Sequence, residues 1–536
     1  MIIVGISQGH NSSVSVLENG NIKFHVENER LSRQKYDSVS YDTIKYVPKN
    51  IDVLCISGLT KLPHLNIDYH KYLLENGHSI KHVESVWSTH HKWHASLAFY
   101  NSGFDKAICI IKDGMGSDYP IKHPDFYPGT YGRESGASFV AEYPNKFTEI
   151  DKHVTVNFDC NKKIDHVSIN NSASEGLLFQ KLSKKYGFYE LDAGKVMGMA
   201  AYGKTTETAL YNGHTGYLNN NILKFNGDLT KGYIDKEFYS FQEQCDFAFD
   251  VQEQTQFNVR NYIWDRVEET GIKNVCLSGG YFLNCVANYK FLKELPKDIN
   301  IYVEPISSDA GQSLGIAKYY HHVYNNDYTK RPIKNLYLGI DHKYNKNNIQ
   351  NTFKDYNISE TSKKEVANLL SKNNIVALYQ GRCESGPRAL GNRSLLFNPT
   401  VKNGQDLVNV IKQREKFRPF ACTILSEKTK EWFDIDESKF MMYAVDCKQP
   451  DKIPAVNHID NTCRIQSLSK EDNQNFYELI DEFYKITNVP LLLNTSLNLA
   501  GDPIVETLED LKDMLSRCTL KYIYLAEFDL LISKKQ

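Results

Sequence analysis

The sequence predicts an α/β protein that is built from two domains. Short apolar segments of strand length alternate along the chain with segments of helical periodicity, which is typical of α/β domains. Several of these apolar segments end in a loop of Gly, Asp or Ser, and α/β proteins place their active groups at such strand ends. A length of 536 residues is also too great for one hydrophobic core.

The first 35 residues predict three strands joined by two turns. Ile2 to Ile6 is apolar, and residues 13–17 and 22–26 are two further candidate strands. Residues 18–21 read Glu-Asn-Gly-Asn, which is a strong hairpin signal between the second and third strands. A small polar loop that contains His10 joins the first two strands.

The later strands and a domain boundary follow from the same patterns. Strands of the buried type are predicted at residues 107–111, 275–277, 301–303, 375–379 and 491–493. The segment NNDYTKRPIK, residues 325–334, then interrupts the alternation, and a second α/β pattern begins after it. The predicted domains are therefore residues 1–338 and 339–536.

The bulk composition is that of a globular protein, with 41% hydrophobic and 24% charged residues. Lys and Arg (63) nearly balance Asp and Glu (65), so the net charge of −2 neither indicates nor excludes a nucleic-acid partner. The eleven cysteines include no CxxC pair and are expected to be reduced. Since no signal-peptide pattern and no apolar run of roughly 18 residues is present, the chain is expected to be soluble and cytoplasmic.

A candidate metal site comes from two histidines and two aspartates. His90 and His94 lie one helical turn apart, where two imidazoles can bind the same divalent ion. Asp113 and Asp309 each follow a predicted strand, the first directly before a glycine and the second before Ala310 and Gly311. This mixed nitrogen and oxygen set suits iron, manganese or zinc. The alternative interpretation is a histidine-rich surface turn and, at Asp113, an ordinary Asp-Gly turn.

A second candidate site is the glycine pair after the strand at residues 275–277. The run Ser-Gly-Gly-Tyr-Phe-Leu-Asn, residues 278–284, predicts a helix that opens directly after a strand. Backbone amides at such a helix start bind phosphate or a nucleotide, which makes Gly279, Gly280 and Asn284 candidate nucleotide-binding residues. The alternative is a tight turn between strand and helix.

The most specific stretch is GRCESGPRALGNRS, residues 381–394, with three arginines and three glycines. Arginine binds phosphate or carboxylate in bidentate fashion, and glycine lets the backbone approach the anion. Further polar candidates follow this stretch: Lys412, Arg414, Lys416, Arg418, Arg464 and Ser496. Charge runs are usually solvated helix faces, but arginines interleaved with Gly and Pro favour an anion site.

These motifs together resemble the nodulation-protein-U and cephalosporin type of O-carbamoyltransferases. The C-terminal matches are GRCESGPRALGNRSLLFNP, KQREKFRPFA and PLLLNTSLNLAGDPIVET. The N-terminal matches are GISQGHNSSVSV, HHKWHASLAF, GKVMGMAAYG, LSGGYFLNCVAN and SSDAGQSLG. The resemblance covers nearly the whole chain in order.

The resemblance implies a fold and a reaction for each domain. Residues 1–338 are expected to be an actin-like ATPase (ASKHA) domain that carries out carbamoyl transfer. Residues 339–536 are expected to be a YrdC-like α/β domain that converts carbamoyl phosphate and ATP to carbamoyl adenylate. An acceptor hydroxyl then attacks this adenylate. The co-substrates are thus ATP and carbamoyl phosphate, and the cofactor is a divalent metal, either iron or manganese or magnesium.

The family's functional residues carry over onto matching positions. The carbamoyl-phosphate and ATP contacts fall on Arg388, Lys412, Arg418, Arg464 and Ser496, and the metal ligands fall on His90, His94, Asp113 and Asp309. His10 matches the histidine needed for transfer, and Lys195 matches a lysine near the nucleotide. Cys383-Glu384-Ser385 departs from the family's bulkier residues, which is expected to change packing more than chemistry.

The acceptor is predicted from one segment of the first domain and from the composition of the chain. A Tyr- and Pro-rich segment after Asp113 and a composition like that of phage-borne members favour 5-hydroxymethylcytosine in DNA. The alternatives are a sugar or antibiotic hydroxyl and, more remotely, tRNA threonylcarbamoylation. An actin-like kinase without carbamoyl chemistry and a non-enzymatic protein fit the arginine motif less well. The expected partners are small molecules and no membrane, and a homodimer is compatible with the sequence.

Overall fold

The computed structural model describes residues 1–58, 68–87, 89–158, 160–204, 223–224, 233–234 and 238–535. The chain forms two compact units, one of Met1–Lys23 with Asp37–Ile333 and one of Phe24–Tyr36 with Lys334–Gln536. The sequence predicts a single boundary and gives no sign that residues 24–36 belong with the C-terminal unit. Among the described residues, every helix is too short or too polar to cross a bilayer.

The first unit begins with a five-stranded sheet. Its strands are β1 (Ile2–Gln8), β2 (Ser13–Glu18), β3 (Asn21–Glu27), β4 (Asn50–Gly58) and β5 (Ser79–Val86), in the order β3-β2-β1-β4-β5. β1 is antiparallel to β2 and parallel to β4. Asn19 and Gly20 have positive φ angles of 50° and 79°, as a tight hairpin requires. The three predicted N-terminal strands and their hairpin are confirmed.

A second sheet of the first unit holds the strands that lead to the candidate site. Its order is β10-β11-β9-β8-β6-β14-β15, with β7 beside β8. The strands of this sheet are β6 (Lys106–Lys112), β7 (Asp118–Pro120), β8 (Tyr131–Glu142), β9 (Lys146–Thr155), β10 (Asn161–Ile164), β11 (Val167–Asn170), β14 (Asn274–Ser278) and β15 (Asn300–Val303). A separate pair is formed by β12 (Leu223–Lys224) and β13 (Tyr233–Ile234). β6, β14 and β15 are parallel neighbours, so their carboxyl ends share one edge.

Helices pack on these two sheets. In chain order they are α1 (Glu29–Ser32, in the second unit), α2 (Tyr41–Ile44), α3 (Tyr69–Glu75), α4 (His90–Ser102), α5 (Glu175–Lys185), α6 (Ala193–Ala200), α7 (Phe241–Thr270), α8 (Cys285–Glu294) and α9 (Gln312–Asn325), with 3-10 turns at Gly280–Leu283 and Asp309–Gly311. α4 packs against α9, and α9 packs against β1. Glycines permit both contacts, because a Cβ on Gly5 would lie 1.9 Å from the carbonyl oxygen of Ser313 and one on Gly315 2.2 Å from that of Trp93.

The second unit is built on one large sheet in the order β16-β24-β23-β17-β18-β22-β19-β21-β20. Its strands are β16 (Tyr356–Glu360), β17 (Val376–Tyr379), β18 (Arg393–Phe397), β19 (Ala421–Leu425), β20 (Ala444–Asp446), β21 (Thr462–Leu468), β22 (Leu491–Ser496), β23 (Tyr522–Leu525) and β24 (Leu530–Lys534). Its further helices are α10 (Lys346–Thr352), α11 (Lys363–Ser371), α12 (Gly404–Lys412), α13 (Thr429–Trp432), α14 (Gln474–Thr487) and α15 (Leu508–Ser516), with 3-10 turns at Ser426–Lys428 and Pro450–Lys452. Mixed sheets with packed helices in both units confirm the predicted α/β class.

All eleven cysteines are unpaired. The buried sulfur atoms of Cys422 and Cys463 lie 3.5 Å apart. That separation is well beyond a disulfide bond length. The thiols therefore pack as small apolar side chains, as the sequence predicts.

Candidate active site

The first group of candidate residues begins on α4. The helix starts at His90, so His90 and His94 lie one turn apart on the same face, and both side chains are buried. Their Nε2 atoms are 3.3 Å apart. The predicted pairing of the two imidazoles is therefore present, and a surface turn is ruled out by their burial.

The two aspartates reach the histidines from the second sheet. Asp113 comes directly after β6, and Asp309 lies in the loop after β15. Both strands belong to the same sheet, in which β14 lies between them. The Nε2 of His90 lies 3.0 Å from Oδ2 of Asp113 and 3.4 Å from Oδ1 of Asp309, and the Nε2 of His94 lies 3.3 Å from the latter oxygen. One donor atom from each of the four residues lies within 4.8 Å of all the others. We call these four residues the His/Asp cluster.

The spacing of the donors fits a bound cation. An ion with metal–donor distances of about 2.1 Å holds neighbouring donors roughly 3.0 Å apart in an octahedron and roughly 3.4 Å apart in a tetrahedron. The separations between a histidine nitrogen and an aspartate oxygen in the His/Asp cluster run from 3.0 to 3.8 Å. Two neutral nitrogens and two carboxylates also suit a divalent metal chemically.

The charges of the His/Asp cluster compensate one another. Burial lowers the pKa of His90, but the carboxylates of Asp309 and Asp113 outweigh it and raise this pKa to about 10. Burial raises the pKa of Asp309, but His90 and His10 outweigh it and hold this pKa well below its usual value. A proton on His90 thus offsets the carboxylates, and a metal ion would take its place.

His10 lies at the edge of the cluster, in the loop that follows β1. Its Nε2 is 3.4 Å from Oδ2 of Asp309, and its side chain is 38% exposed. That exposure leaves the imidazole accessible from solvent while the two histidines of α4 are buried. His10 can therefore meet an incoming molecule beside the His/Asp cluster.

Gln312 is a member of this site that sequence reasoning missed. It is the first residue of α9 and is buried. Its amide nitrogen lies 2.9 Å from Nε2 of His90 and 3.2 Å from Nε2 of His94. The sequence does offer one signal for Gln312: it lies three residues after Asp309, and residues i and i+3 share a helical face.

The glycine pair and Asn284 have structural roles next to the cluster. The amide of Gly280 donates to Oδ1 of Asp113 at 3.2 Å and so holds this carboxylate. The predicted helix does not open at Gly279: residues 280–283 form a 3-10 turn and α8 begins at Cys285. Asn284 is the N-cap of α8 and accepts from the amide of Ala287. A nucleotide-binding role of these residues stays a prediction.

Lys195 lies in α6, outside the His/Asp cluster. Its Nζ is 2.9 Å from Asp192 and lies over the ring of Phe188 at 4.8 Å. The side chain is 15% exposed. Its predicted position near a nucleotide stays a prediction.

The second group of candidates lies in the second unit, at the end of α12 and along β21 and β22. Lys412 is buried, and its Nζ donates to Oγ of Ser496 at 3.1 Å and to Oδ1 of Asn498 at 2.6 Å. Asn498 is a further polar residue that the sequence reasoning did not single out. The predicted neighbours Lys412 and Ser496 are thus brought together.

Positive charges accumulate around Lys412. Burial, together with Arg414 and Arg418, lowers the pKa of Lys412 well below its usual value. Burial, together with Arg418 and Arg464, does the same to Arg414. The buried Nε of Arg464 has no hydrogen-bond partner in the part of the chain that the structure describes. We call Lys412, Arg414, Arg418 and Arg464 the cationic cluster.

The arginine-rich loop that precedes β18 is held by its own polar side chains. Arg382 donates to the carbonyls of Leu338 and Gly339, and Arg393 donates to that of Gln380. Oε1 of Glu384 accepts from three backbone amides, those of Leu390, Asn392 and Arg393. Glu384, which the sequence assigns to packing, therefore shapes this loop by hydrogen bonding.

Arg388 lies in the part of this loop that packs on β21 and β22. Asn494 of β22 donates to the carbonyl of Ala389, and Gln466 of β21 donates to that of Leu390. Those two strands also carry Arg464 and Ser496. Of the three arginines in the motif, Arg382 and Arg393 donate to backbone carbonyls of the loop and its surroundings, and the role of Arg388 as a phosphate contact stays a prediction.

Comparison with known families matches most of this chain. A family model described as the carbamoyltransferase N-terminus matches residues 61–318, and one described as the carbamoyltransferase C-terminus matches residues 367–534. The first range contains the His/Asp cluster, and the second contains the cationic cluster.

Three similar proteins span most of the chain. An uncharacterized protein of Synechocystis is 30% identical over 83% of this chain and 75% of its own length. The nodulation protein NolNO of Sinorhizobium fredii is 28% identical over 94% and 76%. A 3'-hydroxymethylcephem-O-carbamoyltransferase of Amycolatopsis lactamdurans is 26% identical over 95% of both chains.

Proposed function

Since the chain belongs to the carbamoyltransferase family and is thus an enzyme that transfers a carbamoyl group, we propose that it is ATP-dependent and that its acceptor is a hydroxyl. The proposal assigns activation of the carbamoyl group to the second unit and transfer to the first. It takes the first unit as actin-like and the second as YrdC-like. The observation that carries it is the pair of clusters, a buried one whose donors suit a cation and a partly buried one whose positive charges suit an anion.

Activation is needed because carbamate is a poor electrophile. Water converts carbamoyl phosphate to carbamate and inorganic phosphate, and a carbamate oxygen then attacks the α-phosphorus of ATP. The products are carbamoyl adenylate and pyrophosphate. Arg388, Lys412, Arg418, Arg464 and Ser496 would bind the phosphate groups and offset their charge as the new bond forms. The crowding of Lys412, Arg414 and Arg418 supports this role, since an anion relieves their mutual repulsion.

Transfer requires that an acceptor hydroxyl attack the carbamoyl carbon and that AMP leave. The His/Asp cluster would hold a divalent ion, which when bound offsets the charge of the adenylate phosphate. His10 is the proposed base for the hydroxyl proton, and its contact with Asp309 would stabilise the imidazolium that results. The accessibility of His10 next to a buried cluster supports this assignment.

For the acceptor we propose a hydroxymethyl group on a planar ring, with 5-hydroxymethylcytosine in DNA as the first candidate. The Amycolatopsis relative is named for a hydroxymethyl acceptor on a ring system. In the Tyr- and Pro-rich segment, Tyr127 is 88% exposed and Tyr131 59% exposed, and exposed tyrosines can stack on a base. A small-molecule hydroxyl, as on an antibiotic or a sugar, is the second candidate, because both the cephem enzyme and NolNO are relatives.

The test separates activation from acceptor choice. Purified protein with ATP and a divalent metal should release pyrophosphate only when carbamoyl phosphate is present. In separate reactions, the same mixture then receives one of three acceptors: an oligonucleotide that contains 5-hydroxymethylcytosine, free 3'-hydroxymethylcephem, or a chitooligosaccharide. Mass spectrometry detects whether a hydroxyl hydrogen of the acceptor has been replaced by a carbamoyl group. An unmodified cytosine oligonucleotide is the matched control. Pyrophosphate release that does not depend on carbamoyl phosphate would refute the activation step.

A further inference from the structure

Two buried charged side chains, those of Glu27 and Arg30, hold a single residue of the arginine-rich loop. Oε1 of Glu27, the last residue of β3, accepts from the amide of Gly386 at 2.8 Å. Nη2 of Arg30, in α1, donates to the carbonyl oxygen of Gly386 at 2.7 Å. Both polar groups of this backbone residue are therefore bound by side chains that lie 359 and 356 positions earlier in the chain.

The two side chains are placed for Gly386 more than for each other. Nη2 of Arg30 lies 3.5 Å from Oε1 of Glu27, farther than either side chain lies from the glycine. Burial lowers the pKa of Arg30, but Glu27 and the other nearby acidic groups outweigh burial and hold this pKa above its usual value. Since desolvation offsets the attraction within a buried ion pair, the clearer consequence of this pair is the fixed place of Gly386.

The position of Gly386 determines that of Arg388. The φ angle of Gly386 is 86°, in the left-handed region that favours glycine. Pro387 follows, and its ring fixes its own φ and also restricts the residue before it. The backbone between the held glycine and Arg388 therefore has little freedom.

The loop is also held on the other side of Arg388. Oε1 of Glu384 accepts from three backbone amides within residues 390–393. Between these two fixed points Pro387 is exposed and Arg388 is half-buried, whereas Gly386 is buried. The side chain of Arg388 thus starts from a backbone that is fixed both before and after it.

We propose that Glu27 and Arg30 are positioning residues for Arg388 in the activation of the carbamoyl group. They fix the backbone from which the guanidinium of Arg388 reaches the phosphates. The inference rests on the proposed function, in which Arg388 binds these phosphate groups. Loss of the pair should then impair the use of carbamoyl phosphate although Arg388 and the cationic cluster are unchanged.

The experiment compares the full-length wild type with Glu27→Leu/Arg30→Met, in which hydrocarbon side chains of similar length replace the pair. Replacing both partners avoids leaving one buried charge of the pair alone, which would destabilise the fold. The kcat/KM for carbamoyl phosphate in pyrophosphate release should fall about 10²-fold, the effect of a misplaced contact, and KM should rise. Glu27→Gln, whose amide oxygen accepts the same hydrogen bond, should keep kcat/KM close to that of the wild type.

Tyr524→Phe is the matched control, because it removes another buried polar contact of the second unit. The hydroxyl of Tyr524 donates to Oδ1 of Asp529 at 2.8 Å, and neither residue belongs to the arginine-rich loop. Thermal unfolding measures the stability of every variant. A purely structural role would lower stability and the fraction of active enzyme, and hence kcat, but would leave KM for carbamoyl phosphate unchanged, as we expect for Tyr524→Phe.

A second measurement tests whether the effect passes through Arg388. Pyrophosphate, the product of activation, is the probe, and calorimetry measures its affinity. Glu27→Leu/Arg30→Met should weaken pyrophosphate binding when Arg388 is present and should cause no further loss in the Arg388→Ala protein. An equal loss in both backgrounds would show that the pair acts on another group, and would overturn the inference.

The remaining outcomes separate this inference from the proposed function. If pyrophosphate release by the wild type depends on carbamoyl phosphate and the double variant has the same KM, the pair has no positioning role and the proposed function stands. If Glu27→Gln loses as much kcat/KM as the double variant, the hydrogen bond to Gly386 is not the cause, and the inference is wrong. If the wild type shows no release that depends on carbamoyl phosphate, the proposed function and the inference both fail.

Discussion

The His/Asp cluster of the first unit is buried and balances its own charges, whereas the cationic cluster of the second is only partly buried and is of one sign. In the first, imidazoles and carboxylates compensate one another, and a proton on His90 is retained because its pKa is about 10. In the second, four cations face few acidic groups: Glu415 lies 3.7 Å from Arg418, and Asp502 only partly offsets the neighbouring charges at Lys412. The first cluster therefore carries its own counter-charges, whereas the second carries an excess of positive charge that a bound anion would offset.

The largest effect is expected from removing charge next to the cationic cluster. Arg388→Ala or Arg418→Ala should abolish pyrophosphate release from ATP that depends on carbamoyl phosphate, because the phosphates lose their charged contacts. Lys416→Ala, which changes an exposed lysine between Arg414 and Arg418, is the matched control and should keep activity. Circular dichroism should show that all three variants are folded. Normal pyrophosphate release by Arg388→Ala would refute its assignment.

A smaller effect is expected at the edge of the His/Asp cluster. His10→Asn should leave formation of the adenylate intact and slow the transfer step by roughly 10²- to 10⁴-fold, the usual contribution of a positioned acid or base. Asn keeps a hydrogen-bonding group but cannot take up a proton. The measurement is single-turnover transfer from preformed carbamoyl adenylate at saturating nucleotide. If the rate equals that of the wild type, or recovers at high ATP, His10 only shapes the nucleotide loop.

The smallest effect is a pH-dependent stabilisation by an anion. In the folded protein, burial and the neighbouring arginines lower the pKa of Lys412 well below the unfolded value of 10.5. The folded state then binds fewer protons than the unfolded chain in that window, so the contribution of Lys412 to stability rises with pH and is lost as the pH falls through the lowered pKa. Sulfate, whose charge does not change in this pH range, should raise the pKa of Lys412 again when it binds beside it, and so restore the proton on this lysine.

Thermal unfolding with and without sulfate checks this expectation. The stabilisation by sulfate should decrease as the pH rises toward 10.5, by at most about 1.4 kcal/mol per pH unit for one proton. Lys412→Arg, whose charge does not titrate in this range, should flatten the dependence. A sulfate effect that is equally steep in the wild type and in Lys412→Arg would show that another group titrates.

Sequence alone predicts the parts of this molecule that depend on short-range patterns. The hairpin at Asn19 and Gly20 follows from turn chemistry, and the pairing of His90 with His94 follows from helical spacing. The sequence predicts only in part that both aspartates lie next to the histidines. It shows that each aspartate follows a strand, but not which strands are neighbours in the sheet or in what register they pair. The α/β class needed no more than the alternation of apolar and helical segments.

The features that sequence reasoning missed depend on contacts far apart in the chain. Gln312 is 222 residues from His90, and its spacing of three residues from Asp309 is the one local sign that it belongs to the cluster. Arg382 and Arg393 look like anion ligands, because composition cannot tell an arginine that binds a phosphate from one that binds carbonyls. The membership of residues 24–36 in the second unit is likewise a matter of tertiary packing.

The glycine contacts of α9 limit how the donor arrangement can diversify. With Gly5 against the Ser313 carbonyl and Gly315 against that of Trp93, neither β1 nor α4 can shift along α9 without a collision of backbones. Laboratory evolution toward a different ion would then have to exchange the donor side chains of the His/Asp cluster. The spacing of the backbone segments that carry these donors would stay the same. Exchange among His90, His94, Asp113 and Asp309 themselves is then the route that stays open.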